Sequence, residues 1–139
     1  ETGQHGLVSA TQNIGPNPWG CYGISISGAD GQAIGTGYQN TLDMVAGCSE
    51  TPTAASAALS YEFEGYSDWF LPSTDELVEM YNTINFCDFP GSDGSWSNWP
   101  YWSSTEWSSG GGAILNCYNG DVVGDQKFAN DRVLPIRSF

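Results

Sequence analysis

The chain has 139 residues, of which 16 are acidic and 3 basic, giving a net charge of -13. Such a field repels nucleic acids, heparin-like polyanions and anionic membranes, which are bound through Lys and Arg, and it leaves calcium, cationic partners and neutral sugars open or serves solubility alone. Gly (18 residues) and aromatics (14%) are plentiful and charged residues scarce at 14%, so a single turn-rich domain over residues 1–139 is expected, with a sizeable core and few long helices.

The first three residues carry no structural logic and are read as a remnant outside the fold. No signal-peptide pattern is visible, and the domain is expected to have been cut from a larger secreted chain. Residues 6–10 (GLVSA) form a short apolar run expected as a strand. Residues 11–18 are loop, rich in Asn, Gly and Pro. Residues 19–27 (WGCYGISIS) have strand-like composition with rough alternation, closed by a turn at 28–31. A helix is expected over 40–46, stopped by Gly47. A second is expected over 53–63, where four alanines favour it, and Gly65 ends it.

Residues 68–72 (DWFLP) are extended, with Trp69 in the core. Ser73 then caps a helix, and Glu76 completes a capping box. That helix runs to about residue 85, and Leu77, Met80, Tyr81 and Ile84 share its buried face. Residues 87–100 have no periodicity and form a long loop, a common place for function. Residues 101–105 (YWSST) are a strand and 107–112 a flexible turn. Residues 113–118 and 121–128 make a hairpin around Asn119-Gly120, a dipeptide that favours a type I′ turn. Residues 132–139 (RVLPIRSF) are the last strand. The element order predicts an α+β fold: an antiparallel sheet, two or three short helices, long loops and neighbouring terminal strands. No segment approaches the ~20 apolar residues of a membrane span, so membrane insertion is not expected.

Four cysteines stand at 21, 48, 87 and 117, with no C-x-x-C and a single histidine, which argues against a zinc site. An even count in a small domain points to two disulfides in an oxidising, extracellular setting. Three pairings are open. Cys21 with Cys48 and Cys87 with Cys117, the neighbours in sequence, is preferred, and free thiols are the plainer alternative.

Trp96, Trp99 and Trp107 fall in loops and cannot all be buried. Exposed tryptophan marks binding surfaces, although these rings would also serve to clamp the long loop. Asp88, Asp93, Asp121 and Asp125, with Asp131 and several asparagines nearby, offer the hard oxygens that calcium prefers, without EF-hand spacing. Calcium is the one candidate cofactor. Ser103, Ser104, Thr105 and Glu106 hint at a nucleophile, but triad chemistry needs a base, and the only histidine is His5. The pairs Glu62/Glu64 and Asp75/Glu76 read as solvated faces. No catalytic residue is expected. Strand alternation places one of Tyr101 and Trp102 inward. It also places Ala113, Leu115 and Cys117 inward, and Ile114, Asn116 and Tyr118 outward.

Three ordered segments, GYSDWFLPSTDEL (65–77), YWSSTE (101–106) and VLPIRSF (133–139), resemble the Lcl C-terminal domain family of bacterial collagen-like adhesins. That family carries GY-x-DW-x-LPS-x-x-EL, then YWSSTE, then VRPVR-x-F. His5-Gly6-Leu7-Val8 and Gly37-Tyr38-Gln39-Asn40-Thr41 also look like family positions, so the resemblance covers nearly the whole chain. It implies a C-type-lectin-like fold related to the formylglycine-generating enzymes and to the variable proteins of diversity-generating retroelements. The resemblance further implies display of a ligand surface by the outward residues of the last third, with Trp107, Asn116, Tyr118, Asp121 and Asp125 as contacts. The reactive cysteines of the enzyme relatives have no counterpart, because no Lys, Arg or His stands near these four. Leu134 replaces the family's arginine and leaves Arg137 as the expected partner of Glu106. The acidity excludes sulfated polysaccharides. The expectation is therefore a non-catalytic, cell-surface adhesin tip recognising glycan, carried as a homotrimer on a preceding stalk. A protein-binding display module and a structural fibre cap are the alternatives.

Overall fold

The computed structural model describes residues 6–88 and 100–139. The fold is α+β. In chain order it contains β1 (Leu7–Ser9), β2 (Ile14–Asn17), α1 (Gly37–Gly47), α2 (Ala54–Ser60), α3 (Thr74–Ile84) and a 3-10 turn (Phe86–Asp88). Then follow β3 (Tyr101–Ser108), β4 (Gly111–Leu115), β5 (Val122–Gln126), β6 (Asp131–Val133) and β7 (Ile136–Ser138). The terminal strands pair antiparallel, β1 with β7, as expected. The main sheet has the order β2-β6-β3-β4-β5 and is antiparallel except at the β3–β6 join.

Local chemistry sets the helices. Ser73 Oγ accepts from the Glu76 N–H, and Glu76 Oε1 accepts from the Ser73 N–H at 2.8 Å. Glu76 Oε2 also accepts from Gly35 N at 2.8 Å. With both oxygens satisfied, this carboxylate tolerates burial. Of the expected α3 face, Leu77 and Met80 are buried and Tyr81 packs half-buried, but Ile84 is exposed. Asn85 adopts left-handed geometry just beyond it and ends the helix there. Thr53 and Ser56 form a second capping box for α2. That helix stops at Ser60, short of 63, because Tyr61 turns extended and sets its ring edge-on to Trp69 at 5.0 Å.

Residues 19–27 do not form a strand. Cys21 has φ 53°, the segment has no partner strand among the described residues, and Cys21 is bonded to Cys48. Its loop sends Trp19 and Ile26 into the core. Conversely, β2 lies inside the segment read as loop. It tolerates Pro16 because it is the outer strand of its sheet. The last strand is split at Leu134-Pro135, since proline has no N–H to continue a ladder.

The main sheet is covered on both faces. Trp102 and Ile114, paired across β3 and β4, sit in one cluster with Trp19, Ile26, Met44, Leu71 and Val133. Tyr101 and Leu115, the next pair, sit in the other with Phe70, Leu77, Phe86 and Leu134. Alternation therefore sends Tyr101 and Trp102 to opposite faces and both are buried. Ile114 is likewise buried, not outward, because helices α1 and α2 close the face it was expected to expose. The preferred disulfides, Cys21–Cys48 and Cys87–Cys117, are both present.

Candidate functional site

The Trp107 indole lies on the β3–β5 surface, in strand β3 and not in a flexible turn. It is 57% exposed. The ring rests directly on Gly124: a Cβ built there would stand 2.5 Å from Trp107 Cδ1. Gly111 is also close beneath it, at 3.5 Å by the same measure. Two glycines therefore let a large ring lie against backbone, with its outer face free. Ser108, Asp125 and Gln126 join Trp107, Gly110, Gly111 and Gly124 around a shallow groove of about 390 Å³. Beside it, Tyr22 packs against Gly110 and meets Phe128 edge-on at 5.0 Å. Both rings are 58% exposed. Three exposed aromatics thus border the β3–β4 turn. Tyr22 and Phe128 escaped the sequence reading, because Tyr22 was assigned to a strand and nothing local places it beside Phe128.

The expected contact residues do not gather at one place. Gly111 pairs with Gln126 near Trp107, whereas Leu115 pairs with Val122 at the other end of the hairpin. Four residues of strand separate these ends by about 13 Å. Tyr118 stands 83% exposed at that far tip. Asn116 is half-buried there, its Oδ1 accepting from the Tyr118 N–H at 2.9 Å, and Asp121 N donates to Asn119 Oδ1. The tip is not a two-residue turn. Asn116 N donates to Asp121 O, so four residues form the loop, and the Cys117 bond to Cys87 anchors it. Asp93, Trp96 and Trp99 lie outside the described residues, as does His5.

The candidate calcium ligands are also spread out. Asp88 accepts from Asn85 Nδ2 at 3.0 Å at the end of its 3-10 turn, whereas Asp121 immediately precedes β5 and Asp125 lies within it. Among the described residues, the only convergence of three potential ligands is Cys21, Cys48 and Glu50, whose sulfurs are bonded to each other. Burial first, and then the Asp125 carboxyl, push Asp131 up to about 8.

The ion pairs also differ from expectation. Glu106 is paired with Lys127, not Arg137: Nζ to Oε2 is 2.7 Å. Lys127 is fully buried, donates also to Ile24 O at 2.7 Å, and sits 4.7 Å from the Trp19 ring centre. Glu106 accepts in addition from Ile26 N at 2.9 Å. Together they fasten the 24–26 loop beneath the aromatic patch. Arg137 lies on β7, in the other sheet, and makes a two-pronged bond to Asp68 at 2.7 and 3.0 Å. This pair holds Asp68 below its usual range.

The hydroxyls of β3 serve structure. Ser103 donates to Ala113 O at 2.7 Å and Thr105 to Gly31 O at 2.8 Å, and all three of Ser103, Ser104 and Thr105 are buried. No protein-family model matches the chain, and no curated protein matches it.

Proposed function

We propose that this chain is a non-catalytic extracellular binding module that receives a neutral glycan on the Trp107 face. The observation that carries the reading is the flat, outward-facing indole seated on Gly124, with Ser108, Asp125 and Gln126 at the groove edge. An aromatic plane takes the apolar face of a sugar ring, while carboxylate, amide and hydroxyl groups bind its hydroxyls and set orientation. A net charge of -13 disfavours sialylated or sulfated sugars. Two disulfides suit an oxidising compartment, and no helix among the described residues is long and apolar enough to cross a membrane. The resemblance to the Lcl C-terminal domains supports the same reading and brings with it a C-type-lectin-like frame at the tip of a trimeric surface fibre, where several copies would add avidity.

A glycan array probed with wild type and Trp107→Ala tests this. Neutral-sugar hits that vanish in the variant, at unchanged melting temperature, support it. A blank array with wild type overturns it. A protein ligand is the second reading. It is favoured by an apolar groove of about 490 Å³ beside the paired termini, lined by Leu7, Ile34, Tyr38, Phe70 and Phe139.

A further inference from the structure

The sheet beneath Trp107 continues on the far side of the ring. Along β5, Val122, Gly124 and Gln126 are alternate residues and share one face. Leu115, Ala113 and Gly111 of β4 pair with them in that order and belong to the same face. The indole rests on the middle residue, Gly124, and so divides this face in two. On the Gln126 side lies the groove with Asp125. On the Val122 side lies a second cleft of about 300 Å³, which Trp107 also lines.

The far wall of this cleft is the start of α3 together with the loop at 31–32. Thr74 N donates to Thr105 Oγ1 at 3.2 Å, Thr105 Oγ1 donates to Gly31 O at 2.8 Å, and Asp75 N donates to Gln32 O at 3.0 Å. Helix, loop and β3 are thereby tied together, so the opening is formed before any ligand arrives. Its lining is mixed: Val122 and Ala113 are apolar, and Gln32, Thr74 and Thr105 are polar and uncharged. Glu106 borders it with Oε2 committed to Lys127 and Ile26 N. The Gln32 side chain is exposed, and its amide makes no hydrogen bond with the described residues. That leaves an acceptor and two donor hydrogens at the mouth of the cleft.

Resting on the reading of Trp107 as a glycan platform, we propose that this cleft is a second sugar subsite and that the ligand is a neutral oligosaccharide crossing the indole, not a single terminal sugar. Val122 and Gln126 stand four residues apart on one strand, about 13 Å, which is more than one sugar ring spans. A unit stacked on the outer face of the indole has room for a neighbour on each side. One neighbour meets Asp125 and Gln126, and the other meets Gln32 and Thr74. The two volumes, about 390 and 300 Å³, lie at the low end of the roughly 300–1,000 Å³ of small-ligand pockets, which suits one ring in each. Linked units add contacts while the loss of translational and rotational freedom is incurred once, so affinity rises with chain length.

The test is calorimetric titration of the full chain with homo-oligosaccharides of one, two and three units of glucose, galactose, mannose and N-acetylglucosamine. The best-bound series should gain at least tenfold in affinity from one unit to three. Gln32→Ala removes the free amide and Val122→Phe fills the cleft, and each should lower the three-unit affinity at least fivefold at unchanged melting temperature. If Val122→Phe fails to fold, Gln32→Ala decides, since that side chain holds nothing in place. Affinity that does not grow with length, or a gain that survives in every folded variant, overturns the subsite and leaves the Trp107 platform standing. A wild type that binds no sugar of any length overturns the platform and the subsite with it.

Discussion

Gly124→Ala tests whether the position of the Trp107 ring is what makes the groove. The added Cβ would stand 2.5 Å from Cδ1 and 2.6 Å from Cγ and Nε1 of Trp107, about 1 Å inside ordinary contact. Gly124 lies in β5 without left-handed geometry, so alanine fits the strand and recovers roughly 0.5–1 kcal/mol of chain entropy. The exposed indole can yield by tilting, at a cost of about 0.5–1.5 kcal/mol for an off-rotamer side chain. The two effects nearly offset. Unfolding free energy should therefore stay within about 1 kcal/mol of wild type, while affinity for the best neutral sugar on the array falls at least tenfold, or about 1.4 kcal/mol. Denaturant melts, acrylamide quenching referenced to Trp107→Phe, and sugar titration would measure this. If Gly124→Ala binds at wild-type affinity while Trp107→Ala abolishes binding, the argument from a flat indole fails. A loss above about 3 kcal/mol of stability would refute the claim that the ring can move.

Lys127→Met leaves the Glu106 carboxylate, whose side chain is 13% exposed, with only Ile26 N as donor, and should destabilise by about 3 kcal/mol; a chemical melt within 1 kcal/mol of wild type would contradict that role. Stability should fall as pH rises from about 4 through 8, because Asp131 is raised to about 8 and its protonated form is favoured in the fold. Each pH unit is worth at most about 1.4 kcal/mol, and partial solvent screening brings the total near 2 kcal/mol by pH 7. Asp131→Asn should flatten this slope, and an unaltered slope would count against it. Removing the Cys87–Cys117 bond, which spans 30 residues, with a double serine variant should cost about 3–4 kcal/mol, seen as a melting temperature lower by roughly 10 °C.

The features legible in the sequence were those decided by near neighbours. Ser73 and Glu76 carry their capping box within four residues, and the glycines at 110–112 and 120 announce the β3–β5 hairpins. The disulfide pairing also follows sequence order. Features decided by distant partners were hidden. Strand-like composition at 19–27 became a loop, in which Cys21 is tied to Cys48 and no described strand pairs with the segment. Ile114 alternates as an outward residue should, yet α1 and α2 cover that face. Arg137 could not reach Glu106 because Leu134-Pro135 breaks the last strand and carries it into a second sheet. The flat seat of Trp107 depends on Gly124, seventeen residues away across two turns. No period or motif records that a glycine lies under a tryptophan.

The distribution of charge bears on which ligand the Trp107 face admits. All three basic side chains make contacts within the fold: Lys127 at Glu106, Arg137 at Asp68 and Arg132 at Gly15 O. The cations thus hold the sheets and the 24–26 loop together, and the carboxylates in excess are left to set the outer field. Such a field repels any sugar that carries sulfate or sialate from the groove beside Trp107. A neutral sugar does not feel it, so its binding should vary little with ionic strength. Measuring the affinity between 20 mM and 500 mM salt tests this, and a strongly salt-dependent sugar affinity would show that charge, not the indole plane, selects the ligand.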